Sequence, residues 1–168
     1  MLSPEVTRGA ENPTVRRPDV SQQALVCRVL NRLCALPLRH VVETMRPLPI
    51  EPMAGVPRPV AGVAMIRGAA VAVVDLAWVL AGMESHSTRF VVVNADGRRV
   101  ALTVDAVVGV RTIPVGSLQD LPPLVRDASV EAIATIGTLD AELLVVLGGG
   151  RLLPESVWNA IDIDRPSP

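Results

Sequence analysis

The apolar residues of this chain occur in short, valine-rich segments that are separated by Pro, Gly, Asn or Asp. Within several segments, larger apolar side chains alternate with small or polar ones, which is the two-residue period of a half-buried strand. β-branched residues suit that pleated surface. The pattern predicts a mainly β protein with hairpin turns near residues 31–32, 67–68, 95–97 and 140.

The clearest hairpin spans residues 60–76, where two apolar strand halves flank the pair Arg67-Gly68. Gly68 permits the positive φ of a tight turn. An arginine between two hydrophobic runs is costly unless its guanidinium reaches water or an acceptor. The hairpin is therefore predicted to present Arg67 at its tip.

The remaining segments predict only a few short helices. Residues 38–45 are ambiguous and are interpreted as one helical turn that runs into a strand. The prolines between residues 47 and 59 exclude a long central strand there. Asp75 is predicted to cap a helix over residues 76–81. A final helix is expected over residues 154–161, with proline at its start.

Tails are predicted at both ends of the chain. Residues 1–23 carry charges of both signs and three prolines but no apolar segment of signal-peptide type, so they predict a disordered, uncleaved tail. Residues 162–168 predict a second, shorter tail. Between the tails, two runs of short strands favour two small β-barrels, since closure removes exposed sheet edges.

Length and charge narrow the possible functions. A chain of 168 residues suits one domain or two closely packed halves. No apolar run approaches the length of a transmembrane helix, so no membrane insertion is predicted. The lack of a signal-peptide pattern predicts a cytoplasmic protein. The net charge of −1 offers no electrostatic footprint for nucleic acid.

The sequence contains no recognisable catalytic or metal-binding pattern. His40 and His86 are the two histidines, and neither belongs to a nucleophile–base or metal-ligand arrangement. Cys27 and Cys34 fall at inward-facing positions and are predicted to be buried free thiols. The glycines at 148–150 lack the residues of a phosphate-binding loop. No enzyme activity, metal or cofactor is expected.

Residues 62–76 resemble the signature Gly-Val-x-x-x-Arg-Gly-x-x-x-x-Val-x-Asp-Leu of the CheW family, the adaptors that couple chemoreceptors to the histidine kinase CheA. The resemblance extends over residues 24–147 in the same order and spacing. It implies two intimately packed, five-stranded SH3-like barrels within a domain over residues 24–161. The first barrel is expected over residues 24–84 plus 148–161, and the second over residues 88–147.

The resemblance also implies two binding surfaces. A groove between the barrels is expected to receive the cytoplasmic tip of a chemoreceptor, and another surface to pack on the regulatory domain of a CheA-type kinase, with other CheW-like proteins as further partners in an array. The receptor-side motif corresponds to Val41, Glu43, Gly62 and Arg67, and the walls contributed by the second barrel are predicted at Ala101, Val104 and Val107. For the kinase, an apolar, proline-stiffened segment predicts contacts at Met45, Pro47, Ile50 and Met53.

Two departures from the family pattern keep alternatives open. Met65-Ile66 replaces the usual Asn-Leu before Arg67, and the last strand runs into the glycines at 148–150. One alternative is a CheW-like subunit that binds the kinase but no receptor. Another is a sensor that holds a small amphiphilic acid in the groove between the barrels.

Overall fold

A computed structural model describes residues 21–95, 97–123, 132–148 and 152–163, and within them it contains ten strands. The mainly β fold predicted from the sequence is confirmed, with two five-stranded sheets. In chain order the strands are β1 (Ser21–Val29), β2 (Arg32–Pro37), β3 (Val41–Met45), β4 (Val60–Ile66), β5 (Ala69–Asp75), β6 (Arg89–Ala95), β7 (Arg98–Val104), β8 (Ala106–Pro114), β9 (Ile133–Leu139) and β10 (Glu142–Leu147).

The two sheets divide the chain differently from the prediction. The first sheet has the order β8-β1-β2-β10-β9, and the second has the order β3-β6-β7-β5-β4. The predicted barrel over residues 88–147 is therefore wrong, because β6 and β7 pair with β3–β5, whereas β8–β10 join β1 and β2. Hairpin signals identify neighbours along the chain but carry no information about the parallel pairs β2–β10 and β5–β7 that complete each sheet.

The predicted hairpins are present, with one shift of a turn. Arg67 and Gly68 join β4 to β5 with φ of 49° and 78°. The first hairpin turns at Leu30 and Asn31, with φ of 49° and 60°, rather than at residues 31–32. Two consecutive residues with positive φ match the twist of the flanking strands, so these turns keep the paired strands in register.

The short helices follow the predicted capping. A 3-10 turn over Leu38–His40 runs directly into β3, as predicted for residues 38–45. Helix α1 (Leu76–Ala81) begins at Asp75, whose carboxylate accepts a hydrogen bond from the Trp78 amide at 3.2 Å, and it ends at Gly82 with φ of 62°. Helix α2 covers Glu155–Ile163.

The predicted tails start at different residues. Residues 21–23 belong to β1, so the N-terminal tail predicted over residues 1–23 is wrong for those three, and residues 1–20 lie outside the described part. Helix α2 reaches Ile163, which contradicts a tail beginning at residue 162, and residues 164–168 lie outside it as well.

The main hydrophobic core lies between the two sheets. It combines Leu25 and Leu36 of the first sheet with Val74 and Leu102 of the second, and α2 adds Trp158. A smaller cluster lies on the other face of each sheet. The prediction of buried free thiols is confirmed: Cys27 and Cys34 face each other across β1 and β2 in the main core, and burial raises the pKa of each to about 12.

Candidate functional site

The tip of the β4–β5 hairpin carries a two-point ion pair. Arg67 donates from Nε to Glu43 Oε1 at 2.8 Å and from Nη2 to Glu43 Oε2 at 2.7 Å. The Arg67 side chain is 72% exposed, whereas that of Glu43, on β3, is 20% exposed. The structure thus brings together two residues that the sequence predicted separately as receptor contacts.

The pair joins the two edges of the second sheet. Glu43 lies on β3 and Arg67 follows β4, and these are the outermost strands of that sheet. Forked arginine–carboxylate geometry is specific in direction because both bonds must form together. We call this pair the clasp, since it links by side chains two strands that share no backbone ladder.

The electrostatics of the clasp keep both groups charged. The hydrogen bonds from Arg67 lower the pKa of Glu43; partial burial opposes this effect, and the charges of Arg67 and Arg99 reinforce it. The hydrogen bonds to Glu43 and its charge raise the pKa of Arg67. The clasp is therefore fully ionised at neutral pH.

Backbone contacts of the β3–β4 connection cover the outer edge of β4. The Glu51 amide donates to the Val63 carbonyl at 2.8 Å, and the Val63 amide donates to the Glu51 carbonyl at 2.9 Å. Gly62 lies beside this bridge with φ of 148°, and a Cβ there would stand 2.2 Å from the Glu51 oxygen. The buried Gly62 thus serves close backbone packing, and its predicted place among surface receptor contacts is wrong.

Of the other predicted receptor residues, two retain accessible surface. Val41 and Val107 are half-buried and pack against the margin of the inter-sheet core. Ala101 and Val104 are completely buried, so the prediction that they line an open groove is wrong. Ala101 faces the small cluster on the far side of the second sheet and Val104 faces the inter-sheet core, because alternate strand residues point to opposite faces.

The predicted kinase-facing segment is only partly exposed. Met45 and Ile50 pack against the cluster on the far side of the second sheet, which contradicts a fully exposed apolar strip. Pro47 and Met53 are exposed. The sequence predicted one continuous exposed apolar surface for this segment. In the structure, Ile50 lies next to the Glu51–Val63 bridge and points inward, whereas the side chain of Leu48 is exposed.

Sequence reasoning missed an apolar edge on the first sheet. Strand β8 is an outer strand, and its Val108 and Val110 are exposed, as is Val42 on β3. Exposed valines on an outer strand are a common feature of contact surfaces. The alternating apolar residues of 106–114 were visible in the sequence, but their exposure depends on the position of β8 at the edge.

Other kinds of site find little support among the described residues. They contain no group of three or more His, Cys, Asp or Glu side chains arranged for a metal ion. No helix in the described ranges has the length and apolar character needed to cross a bilayer.

Comparison with known proteins agrees with this architecture. The family model described as CheW-like domain matches residues 23–157. The fold is similar to the crystal structure of the scaffolding protein TtCheW from Thermoanaerobacter tengcongensis, with a TM-score of 0.70 at 22% identity over 79% of this chain and 92% of that chain. This similarity confirms the predicted pair of SH3-like barrels. A search of the curated proteins found no match.

Proposed function

The chain belongs to the CheW-like domain family, and on that basis we propose that it is a non-enzymatic chemosensory adaptor. In this proposal it works in the cytoplasm and couples the tip of a chemoreceptor to the regulatory domain of a CheA-type histidine kinase. Membership of a family of chemotaxis scaffold proteins supports the general role. The identity of the two partners and the residues that meet them are part of the proposal.

The observation that carries the receptor half of the proposal is the clasp. Arg67 uses Nε and Nη2 to bind Glu43, so its Nη1 donors point away from that carboxylate. Glu43 thereby holds an exposed guanidinium in one orientation before any partner arrives. A pre-oriented arginine loses less side-chain entropy on binding, and it suits a carboxylate or the carbonyl end of a helix.

Apolar surface at the margin of the inter-sheet core supplies the rest of the proposed receptor contact. Val41 and Val107 pack at that margin, and Val42, between Val41 and Glu43 on β3, is exposed. An amphipathic helical hairpin, such as a receptor tip, can bury its apolar face there, at roughly 25 cal/mol per Å² removed from water. The arginine then fixes orientation more than it adds affinity.

The adaptor acts in this scheme by recruitment and geometry. Binding both partners holds the kinase beside the receptor, and the activity of the kinase follows the kinase conformation that the adaptor binds more tightly. Pro47, Leu48 and Met53 are the exposed residues of the proposed kinase-facing segment. Met45 and Ile50 support that segment from within.

Calorimetric titration with a CheA-type regulatory domain and a receptor-tip fragment, both from the same genome, tests the proposal. We expect micromolar affinity for the kinase domain, as is typical of transient signalling contacts. Arg67→Glu places like charges at the clasp and should weaken receptor binding by about tenfold or more. Arg28→Glu is the matched control, since Arg28 forms an equally forked pair with Glu142 on the other sheet.

The outcomes separate the proposal from its alternatives. Binding to the kinase domain but not to the receptor fragment, with no change in Arg67→Glu, identifies a kinase-only subunit. The exposed Met65, which stands where the family usually has asparagine, is the reason to consider this alternative. Equal losses with Arg67→Glu and Arg28→Glu indicate a general electrostatic effect and overturn the role of the clasp. Absence of binding to both partners overturns the adaptor function itself.

A further inference from the structure

A cavity of about 390 Å³ opens where α2 meets the second sheet. Its walls come from β4 and β5, from the connection that precedes β4, and from α2. The larger apolar side chains that line it are Met53, Val56, Val60, Val63, Trp158 and Ile161. Small-molecule sites occupy roughly 300–1,000 Å³ and are mostly apolar, so this cavity has the size and lining of a site for a small ligand.

The strand register directs small apolar side chains toward the cavity. Val63 on β4 pairs with Ala72 on β5, and the side chains of such a pair project from the same face of the sheet. Ala70 lies two residues before Ala72 and therefore on that face as well. Ala72 and Trp158 belong to the same buried cluster, so this is the face that α2 covers. Alanines beneath a helix leave the space that the cavity occupies.

The cavity has a buried floor and a partly solvated apolar rim. Val60 and Trp158 are buried, whereas Val56, Val63 and Ile161 are half-buried. The three rim residues come from the connection before β4, from β4 and from α2, yet they converge on one concave site. Apolar surface that stays hydrated in such a site is the surface that a hydrophobic ligand removes from water.

The charged residues that line the cavity are two arginines that are already engaged within the protein. The guanidinium of Arg98 lies 5.0 Å from the centroid of the Trp158 ring, and Arg98 takes part in a further interaction within the chain. Arg99 follows it on β7 and faces the other side of the sheet, where its charge helps to lower the pKa of Glu43. No acidic side chain is among the described residues that line the cavity. An ion would therefore lose its hydration there without a dedicated counter-charge, which favours an uncharged occupant.

We propose that this cavity binds a compact, uncharged molecule with a hydrocarbon frame, of the class of bicyclic alcohols and ketones. An apolar cavity of about 150 Å³ takes up benzene, so this larger cavity has room for a frame of about ten carbon atoms. The frame lies among Val56, Val63 and Ile161 and leaves the stack of Arg98 on Trp158 in place. This inference does not depend on the adaptor function, and either can fail without the other.

Fluorescence titration of the full chain tests the site directly. Trp78 and Trp158 are the two tryptophans, so Trp78→Phe leaves the cavity residue as the single tryptophan. With adamantanol, which is compact, uncharged and not fluorescent, we expect a saturable change in Trp158 emission and a Kd on the order of 100 µM. Adamantane carboxylate and adamantyl ammonium have the same frame with a negative or a positive charge, and both should bind about tenfold more weakly.

Two variants locate the binding, each with a matched control. Ala70→Phe places a ring in the cavity from an exposed strand position and should abolish binding. Its control is Ala106→Phe, since Ala106 is an exposed alanine of the outer strand β8 that does not line the cavity. Val63→Thr keeps the shape of the side chain but adds a hydroxyl group to the rim, and it should weaken binding about threefold or more. Its control is Val108→Thr, at an exposed valine of β8.

Each contrary result overturns the proposal. Lack of a saturable change up to about 1 mM adamantanol, tenfold above the expected Kd, excludes the site. Binding that survives Ala70→Phe, or that Ala106→Phe weakens equally, places the ligand elsewhere. Equal or tighter binding of either charged analogue contradicts selection for an uncharged ligand. Circular dichroism melts of every variant separate a loss of binding from a loss of fold, and calorimetric titration of the native chain gives the Kd without the Trp78→Phe change.

Discussion

The two sheets are built to one plan but are closed differently. In each, an outer strand is followed by a connection that makes one antiparallel bridge to the opposite outer strand: Glu51 pairs with Val63 in the second sheet, and Gln119 pairs with Ile136 in the first. Each sheet also contains one parallel pair, β5–β7 or β2–β10. The second sheet uses five consecutive strands, whereas the first takes β1 and β2 from one end of the chain and β8–β10 from the other.

The difference lies at the turn that ends each outer hairpin. In the second sheet this turn is Arg67-Gly68, and Arg67 reaches Glu43 on the opposite edge. In the first sheet the corresponding turn is Asp140-Ala141, and β8 opposite it presents Val108 and Val110 to solvent. The same arrangement of strands thus carries a charged clasp in the second sheet and an apolar edge in the first. The two sheets differ in the side chains at their surfaces more than in their strand topology.

The first sheet has its own forked pair, which sharpens the comparison. Arg28 on β1 donates to both oxygens of Glu142 on β10, at 3.1 and 3.0 Å. These strands flank β2 and are already connected through its backbone ladders. The clasp instead joins strands without a shared ladder, and its carboxylate is the less exposed partner. Loss of Arg67 therefore leaves Glu43 partly desolvated, whereas loss of Arg28 leaves Glu142 in water.

The largest expected effect comes from the glycine beside each bridge. Gly62→Ala places a Cβ 2.2 Å from the Glu51 carbonyl at a φ of 148°, and we expect it to reduce the free energy of unfolding by about 3 kcal/mol. Gly137→Ala brings its Cβ to 2.9 Å from the flexible end of the Leu118 side chain and to 3.4 Å from the Ser117 carbonyl oxygen, and it should cost about 1 kcal/mol. Urea denaturation measures both. Equal costs would show that the two bridges close their sheets in the same way.

The helix cap after β5 is the next largest effect. Asp75→Ala removes the acceptor for the Trp78 amide and should lower the free energy of unfolding by about 1 kcal/mol. Asp75→Ser keeps a capping oxygen and should recover most of that loss. Thermal melts at one protein concentration compare the native chain with Asp75→Ala and Asp75→Ser. If Asp75→Ser does not recover stability, the loss comes from packing of the buried Asp75 side chain and not from helix capping.

Removing Arg67 from the clasp should lower the free energy of unfolding by less than the glycine and helix-cap substitutions do. Its larger effect is expected on receptor binding. Arg67→Ala is expected to destabilise the protein more than Arg28→Ala, because the carboxylate it leaves behind is the more buried one. Both changes should remain below that of Gly62→Ala, since exposed ion pairs contribute little. Differential scanning calorimetry gives the order, and a greater loss for Arg28→Ala contradicts it.

The smallest effect is the pH dependence of the clasp. The pKa of Glu43 is lowered in the folded protein, so the stability that it contributes is present above the ordinary glutamate pKa and is lost as the pH falls through the lowered folded value. We expect the difference in Tm between the native chain and Glu43→Gln to be full at pH 7 and to vanish well below about pH 4. The Glu142→Gln variant should behave with the same sign, because Arg28 lowers the pKa of Glu142 in the same way. A difference that persists unchanged at low pH contradicts a charge effect.

Local sequence signals predicted the elements well where one residue type decides the geometry. Asp75 and Gly82 set the ends of α1, and Arg67-Gly68 set the tightest turn of the site, because caps and turns depend on a few adjacent residues. The burial of Ala101 and Val104 was not predicted correctly. Alternation shows that strand residues face two sides, but only the packing of the two sheets makes both sides interior.

The sequence by itself determined the mainly β class, the hairpins, the buried thiols and the position of Arg67 at a tip, since each follows from residues within a few positions of one another. Tertiary structure alone decided that β8–β10 join β1 and β2, that Glu43 meets Arg67, and that Arg98 and Trp158 border a cavity. Those features depend on contacts between segments far apart in the chain. The free energy that stabilises these features comes from burial and charge pairing between distant segments. Local propensity carries no information about either.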